Sequence, residues 1–88
     1  MKFKVGDLVF VKDDLVPGIR YGEYWFEPSM EKFKYKLCEI VSVSTTDYLV
    51  GLADNPNEVY PFFTDEMLTG HLEIEFTKYL ERIKYEFT

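Results

Sequence analysis

The stretch Leu37-Cys38-Glu39-Ile40-Val41-Ser42-Val43, then Ser44-Thr45-Thr46-Asp47, then Tyr48-Leu49-Val50-Gly51-Leu52 decides the fold class. Cys38 and Ile40 alternate in phase on one side of the first run, and Tyr48, Val50 and Leu52 supply the inward face of the second. Period two with β-branched and aromatic residues marks strands, and the Ser-Thr-Thr-Asp cluster between them marks a turn. The same pattern extends outward. Gly6-Asp7 turns the chain into Leu8-Val9-Phe10-Val11-Lys12, an opening strand. Asp54-Asn55-Pro56-Asn57 reads as a further tight turn, and 59–63 as a fourth strand in which Pro61 implies an edge or a bulge. Thr64 before Asp65 and Glu66 reads as the cap of a short helical turn.

Between the first strand and this central pair, Asp13-Asp14, Pro17-Gly18, Gly22 and Pro28 interrupt every helical period, so 13–31 reads as one long excursion. It carries Arg20, Tyr21, Tyr24, Trp25 and Phe26. Phe33, Tyr35 and Leu37 then alternate with Lys32, Lys34 and Lys36, which on a pleated strand sets three ammonium groups on one face. Alternation turns those aromatics toward the core, so the lysines read as a solvated strand face rather than a nucleic-acid surface.

Short strands at regular spacing after one long loop predict a mainly β domain, a small SH3-like barrel over residues 1–69. Residues 70–88 form an extension in which Leu72, Phe76, Tyr79, Leu80, Ile83 and Phe87 recur at helical intervals, although 72–76 alone also fits a strand. The expectation is a C-terminal amphipathic helix packed on the barrel or on a second copy, the latter giving a homodimer.

The ordered pieces Phe3-Lys4-Val5-Gly6-Asp7, Asp13-Asp14-Leu15, Arg20-Tyr21-Gly22, Met30-Glu31-Lys32-Phe33 and Thr64-Asp65-Glu66-Met67-Leu68 resemble a family of small, mostly uncharacterised SH3-like proteins of Gram-positive bacteria and their phages. The likeness spans roughly the first three quarters of the chain. The chain departs from that family in having Pro61 and Phe63 where members carry two Trp, and in continuing past Leu68.

Charge narrows the function. Between Lys36 and Lys78 there is no Lys or Arg, while Glu39, Asp47, Asp54, Glu58, Asp65, Glu66, Glu73 and Glu75 are acidic, so this stretch is the source of the net charge of −6. Such a field repels nucleic-acid phosphates and anionic membranes and steers cationic protein surfaces inward. The expected partner is a host protein with a basic surface, with no direct nucleic-acid contact and no membrane. One Cys cannot form an internal disulfide, and no signal-peptide or transmembrane run is present, in keeping with the cytoplasm of a bacterial host cell.

No catalytic constellation stands out. Cys38 and His71 are the only thiol and imidazole, and Cys38 reads as a small core residue. Asp54, Asn57 and Glu58 lack the spacing of a calcium loop, so no metal and no cofactor are expected. The expected partner-binding residues are Arg20, Tyr21, Tyr24 and Trp25 on the loop and Asp54, Glu58 and Asp65 on the acidic half. Tyr, Trp and Arg dominate binding hot spots, and the same loop also suits a plug over one end of a barrel. The reading is a non-enzymatic protein-interaction module. The phage resemblance implies an alternative, a counter-defence inhibitor that acts as an acidic nucleic-acid mimic or as a nucleotide-signal sponge stacking its ligand on the loop aromatics.

Overall fold

In the computed structural model the described residues are 1–72, so the helix expected over the C-terminal extension lies outside them. Seven strands follow one another: β1 (Leu8–Val11), β2 (Arg20–Tyr21), β3 (Tyr24–Trp25), β4 (Cys38–Val43), β5 (Tyr48–Leu52), β6 (Asn55–Phe63) and β7 (Leu68–Gly70). Two 3-10 helices, Pro28–Phe33 and Asp65–Met67, interrupt them. The main sheet has the order β6-β5-β4-β1-β7 and every neighbouring pair is antiparallel.

The decisive stretch folds as read. β4 and β5 pair through Ile40↔Val50 and Val43↔Tyr48, and the amide of Ser44 donates to the carbonyl of Asp47 at 2.9 Å to close the turn. Cys38, Ile40, Tyr48, Val50 and Leu52 are all buried. Pro61 stands on an edge strand next to a bulge, because the register passes from Tyr48↔Phe63 to Val50↔Tyr60. Both of its sequence implications hold, since proline removes a ladder donor and is tolerated only at such places.

The barrel is not formed. Among the described residues β6 and β7 are the two edges of one open sheet, and no ladder joins them. β7 has only three residues, β6 carries Pro56 and Pro61, and the space on the inner side is already filled. Phe26 and Met30 from the long loop, and Phe33 just after it, are fully buried against Val9, Val11, Ile40 and Phe63, with Leu15 beside them. The loop is therefore the second layer of the domain, covering the apolar face that closure would otherwise bury.

Three local expectations are corrected. The lysine ladder does not exist, because Pro28 opens a 3-10 helix that runs to Phe33 and Tyr35 takes φ +64°. Proline fits the first position of a helix, whose amide has no partner to lose. Lys34 is buried, with Nζ donating to the carbonyl of Leu15 at 2.7 Å and to Glu31 at 3.2 Å, whereas Lys32 pairs with Glu58 and Tyr35 faces solvent. The turn expected at Asp54-Asn55-Pro56-Asn57 comes earlier, at Ala53-Asp54, since Leu52 already pairs with Asn55. The short turn after Thr64 is present, yet the Thr64 hydroxyl does not cap it. It donates instead to the carbonyl of Tyr21 at 2.7 Å.

Candidate functional site

The loop aromatics sit on a hairpin, β2–β3, that is fastened at three places. Arg20 pairs with Trp25 and Tyr21 with Tyr24 across the two-residue connection Gly22-Glu23. Gly22 has φ +75°, a value that a two-residue hairpin asks of its first loop position and that glycine adopts without strain. The base closes through Gly18 N to Phe26 O at 2.8 Å and Phe26 N to Ile19 O at 2.9 Å. The Thr64 hydroxyl ties the Tyr21 carbonyl to the end of β6, and the Tyr21 hydroxyl accepts from the amide of Val16 at 3.0 Å.

On this frame the side chains divide. Phe26 is fully buried, while Trp25 remains 50% exposed. The guanidinium of Arg20 lies 5.4 Å from the Trp25 ring centroid and its Nε donates to the carbonyl of Gly22 at 2.8 Å. A guanidinium over an indole face gains from the ring quadrupole and fixes both side chains. Tyr24 is half-buried and meets Phe62 with ring centroids 5.0 Å apart, its hydroxyl 3.5 Å from that of Thr46.

Phe62 belongs to this cluster, and the sequence reading missed it. The β6 bulge gives it φ +73°, its amide donates to Asp47 Oδ2 at 3.1 Å, and its ring is 43% exposed. A bulky residue in the left-handed region costs about 1–3 kcal/mol and persists only where its surroundings impose it. Pro61 was the signal in the sequence, since it announced the bulge that turns the next side chain outward. Asp47 is the second omission; it also bonds Ser44, so the turn that joins β4 to β5 supports Phe62.

The three acidic residues expected at the site do not share a face. Asp65 lies at the same end of β5 as the hairpin, where its Oδ1 accepts from the amide of Lys2 at 3.0 Å and from the Tyr48 hydroxyl. That hydroxyl accepts from the amide of Phe3 at 2.9 Å, so Asp65 and Tyr48 together pin the N-terminal segment. Burial, followed by the bond to Asp65, raises the Tyr48 phenol above its ordinary value. Asp54 is exposed at the far end of β5, in the β5–β6 turn. Glu58 follows on β6, and its hydrogen bond from the Lys32 ammonium holds its carboxyl below the usual range. Five residues of β5 separate the two groups, roughly 15 Å at strand rise.

Cys38 is fully buried, its thiol 3.4 Å from the carbonyl of Lys36 and 3.6 Å from that of Phe33. Burial pushes the thiol up to about 11. It is therefore protonated at neutral pH, and the thiol is not the nucleophilic form. His71 stacks on Phe10 at 5.9 Å, and Phe10 alternates with the buried Val9 and Val11, so thiol and imidazole lie on opposite faces of the sheet. Among the described residues no three His, Cys, Asp or Glu side chains are grouped to hold a metal ion. No helix among them is long and apolar enough to cross a membrane.

Comparison with protein-family models, with curated proteins and with solved structures finds no match.

Proposed function

We propose that the chain is a non-enzymatic protein-interaction module of the bacterial cytoplasm that binds a host protein with a basic surface. The β2–β3 hairpin with Phe62 is its recognition element. The observation that carries this reading is the contrast between Phe26 and its neighbour Trp25: one is fully buried as the plug of the sheet, the other is left half exposed beneath Arg20. Neighbours in an extended segment face opposite ways, so what marks Trp25 is the guanidinium of Arg20 held over its outward ring. Tyr, Trp and Arg supply large contact area for little side-chain entropy, and the bonds from Thr64 and to Tyr21 hold the hairpin in place, which reduces the ordering cost of association.

The carboxylates have a separate role in this reading. With a net charge of −6, and with Asp54 exposed and Glu58 paired to Lys32, the acidic half supplies a long-range field rather than a contact patch. We take the SH3-like arrangement suggested by the ordered sequence pieces in an open form, the long loop standing where a barrel would close.

The test places a photoreactive p-benzoylphenylalanine at Glu23 of the full chain, in the exposed connection of the hairpin, and irradiates it in a Gram-positive bacterial lysate at low and at high salt. A discrete adduct that weakens with salt and disappears on Arg20→Ala or Phe62→Gly is the expected result. Labelling that is diffuse, or indifferent to both substitutions, refutes the hairpin as the recognition element.

A further inference from the structure

A groove of about 670 Å³ lies where β1 ends. Phe10 and Thr69, paired across β1 and β7, form part of its lining, with Lys12, Asp13 and Asp14 following from β1 and Tyr35 on the other strand of chain. Tyr35 is the unusual member. It is 78% exposed, yet it holds φ +64°, a conformation that costs a non-glycine residue energy. Its backbone is fixed from both sides: Lys34 bridges Val11 and anchors its ammonium on Leu15, and the carbonyl of Leu37 accepts from the amide of Ala53 at 3.0 Å. Nothing in the core needs this ring, since it packs into no part of the core cluster.

The chemistry around it points to one class of occupant. Among the described residues Asp13 and Asp14 make no hydrogen bond or ion pair, and Lys12 leaves the lining with one net negative charge. An open aromatic face, an aromatic lining residue and two uncommitted carboxylates are the complement of a guanidinium on an aliphatic stem. The plane stacks on the tyrosine, the fork meets a carboxylate, and the methylenes lie on Phe10.

We propose that this groove is a docking site for an arginine side chain presented by the partner protein. It rests on the reading of the chain as a binder of a basic surface, and it adds a contact point outside the β2–β3 hairpin. Tyr35 supplies the stacking face and Asp13 and Asp14 supply the counter-charge.

The experiment titrates the isotopically labelled full chain with N-acetyl-argininamide and, separately, with its neutral isostere N-acetyl-citrullinamide, and follows backbone amide shifts. Saturable shifts at Asp13, Asp14, Tyr35 and Thr69 with the arginine compound, and none with the citrulline compound, are expected. Tyr35→Gly removes the ring and relieves the left-handed backbone, so that variant folds, and its affinity falls about two- to fivefold. The double variant Asp13→Asn, Asp14→Asn loses saturation. Equal response to both compounds, shifts spread over all surface carboxylates, or unchanged affinity in Tyr35→Gly overturns the proposal. Because the probe is a small molecule, its result is independent of the crosslinking from Glu23: binding here without an adduct there refutes the hairpin alone, and an adduct without binding here refutes the groove alone.

Discussion

Tyr24 and Phe62 pack ring against ring at 5.0 Å with an interplanar angle of 40°, joining a hairpin in the long loop to a bulge in the edge strand β6. The pairing depends on a phenylalanine held at φ +73°, and Asp47 holds it there through the Phe62 amide. Exposed aromatic surface is thereby built from two segments far apart in sequence, and the backbone geometry of one of them is unfavourable in isolation.

Phe62→Gly separates strain from surface. Loss of the aromatic pair costs about 0.5–1.5 kcal/mol, relief of the left-handed backbone returns about 1–3 kcal/mol, and the greater freedom of glycine in the unfolded chain subtracts about 0.4–1 kcal/mol. Stability by urea titration should therefore change little, while capture from the hairpin is lost. A strong fall in stability would mean that Phe62 is a structural residue.

Lys34 tests the loop as a second layer. Its ammonium bonds the Leu15 carbonyl and Glu31 and lies 5.0 Å from the Phe26 ring centroid. Lys34→Met keeps the stem and removes a charge-assisted bond, leaving a buried carbonyl unpaired, at a cost of roughly 1.5–3 kcal/mol. The urea midpoint should fall with an unchanged slope. A midpoint equal to that of the parent would show that the loop is held without this anchor.

Alkaline pH should reveal Cys38. Burial holds the native thiol at about 11 and the unfolded one has its ordinary value of 9.0, so between these values the unfolded chain binds fewer protons. Stability then falls as pH rises from about 9 to about 11, with an upper bound of roughly 2.7 kcal/mol for a two-unit separation. The raised Tyr48 phenol acts in the same sense at higher pH. Melting temperatures of the parent and of Cys38→Ala should converge across this window, because the variant loses the thiol contribution. Parallel curves would sink this assignment, as would rapid labelling of the native thiol at neutral pH.

The two ends of β5 should respond differently to changes at their carboxylates. Asp65→Ala removes the acceptor of the Tyr48 hydroxyl and of the Lys2 amide, which costs roughly 1–3 kcal/mol. Asp54→Lys touches an exposed turn and should stay within about 0.5 kcal/mol of the parent. It should nevertheless slow partner association, with an effect that shrinks as salt rises. An association rate unmoved at low salt would reduce the acidic half to a solubility device.

Alternation in 37–52 was enough to read β4, its turn and β5, because period two and turn chemistry are properties of neighbouring residues. Pro61 likewise announced an edge and a bulge, and the Arg, Tyr and Trp content of the long loop singled out the hairpin that carries the half-exposed indole. The same local rule failed over 32–37, where alternating lysines mimic a strand, because a 3-10 helix opened by Pro28 and a left-handed Tyr35 override it once Met30 and Phe33 have a core to enter.

Which residues of the chain meet is a different kind of fact. In the open sheet the loop fills the inner face, and the two edges are short or carry proline; the position of Phe62 beside Tyr24, and the separation of Asp65 from Asp54 and Glu58, follow from register between distant segments. The sequence alone determined the strand-forming runs, the turn chemistry and the sign of the charge, all of which act over a few residues or over the whole chain at once. Tertiary structure decided burial, register and the grouping of side chains, because these depend on which apolar surfaces cover one another, a choice that no local pattern contains.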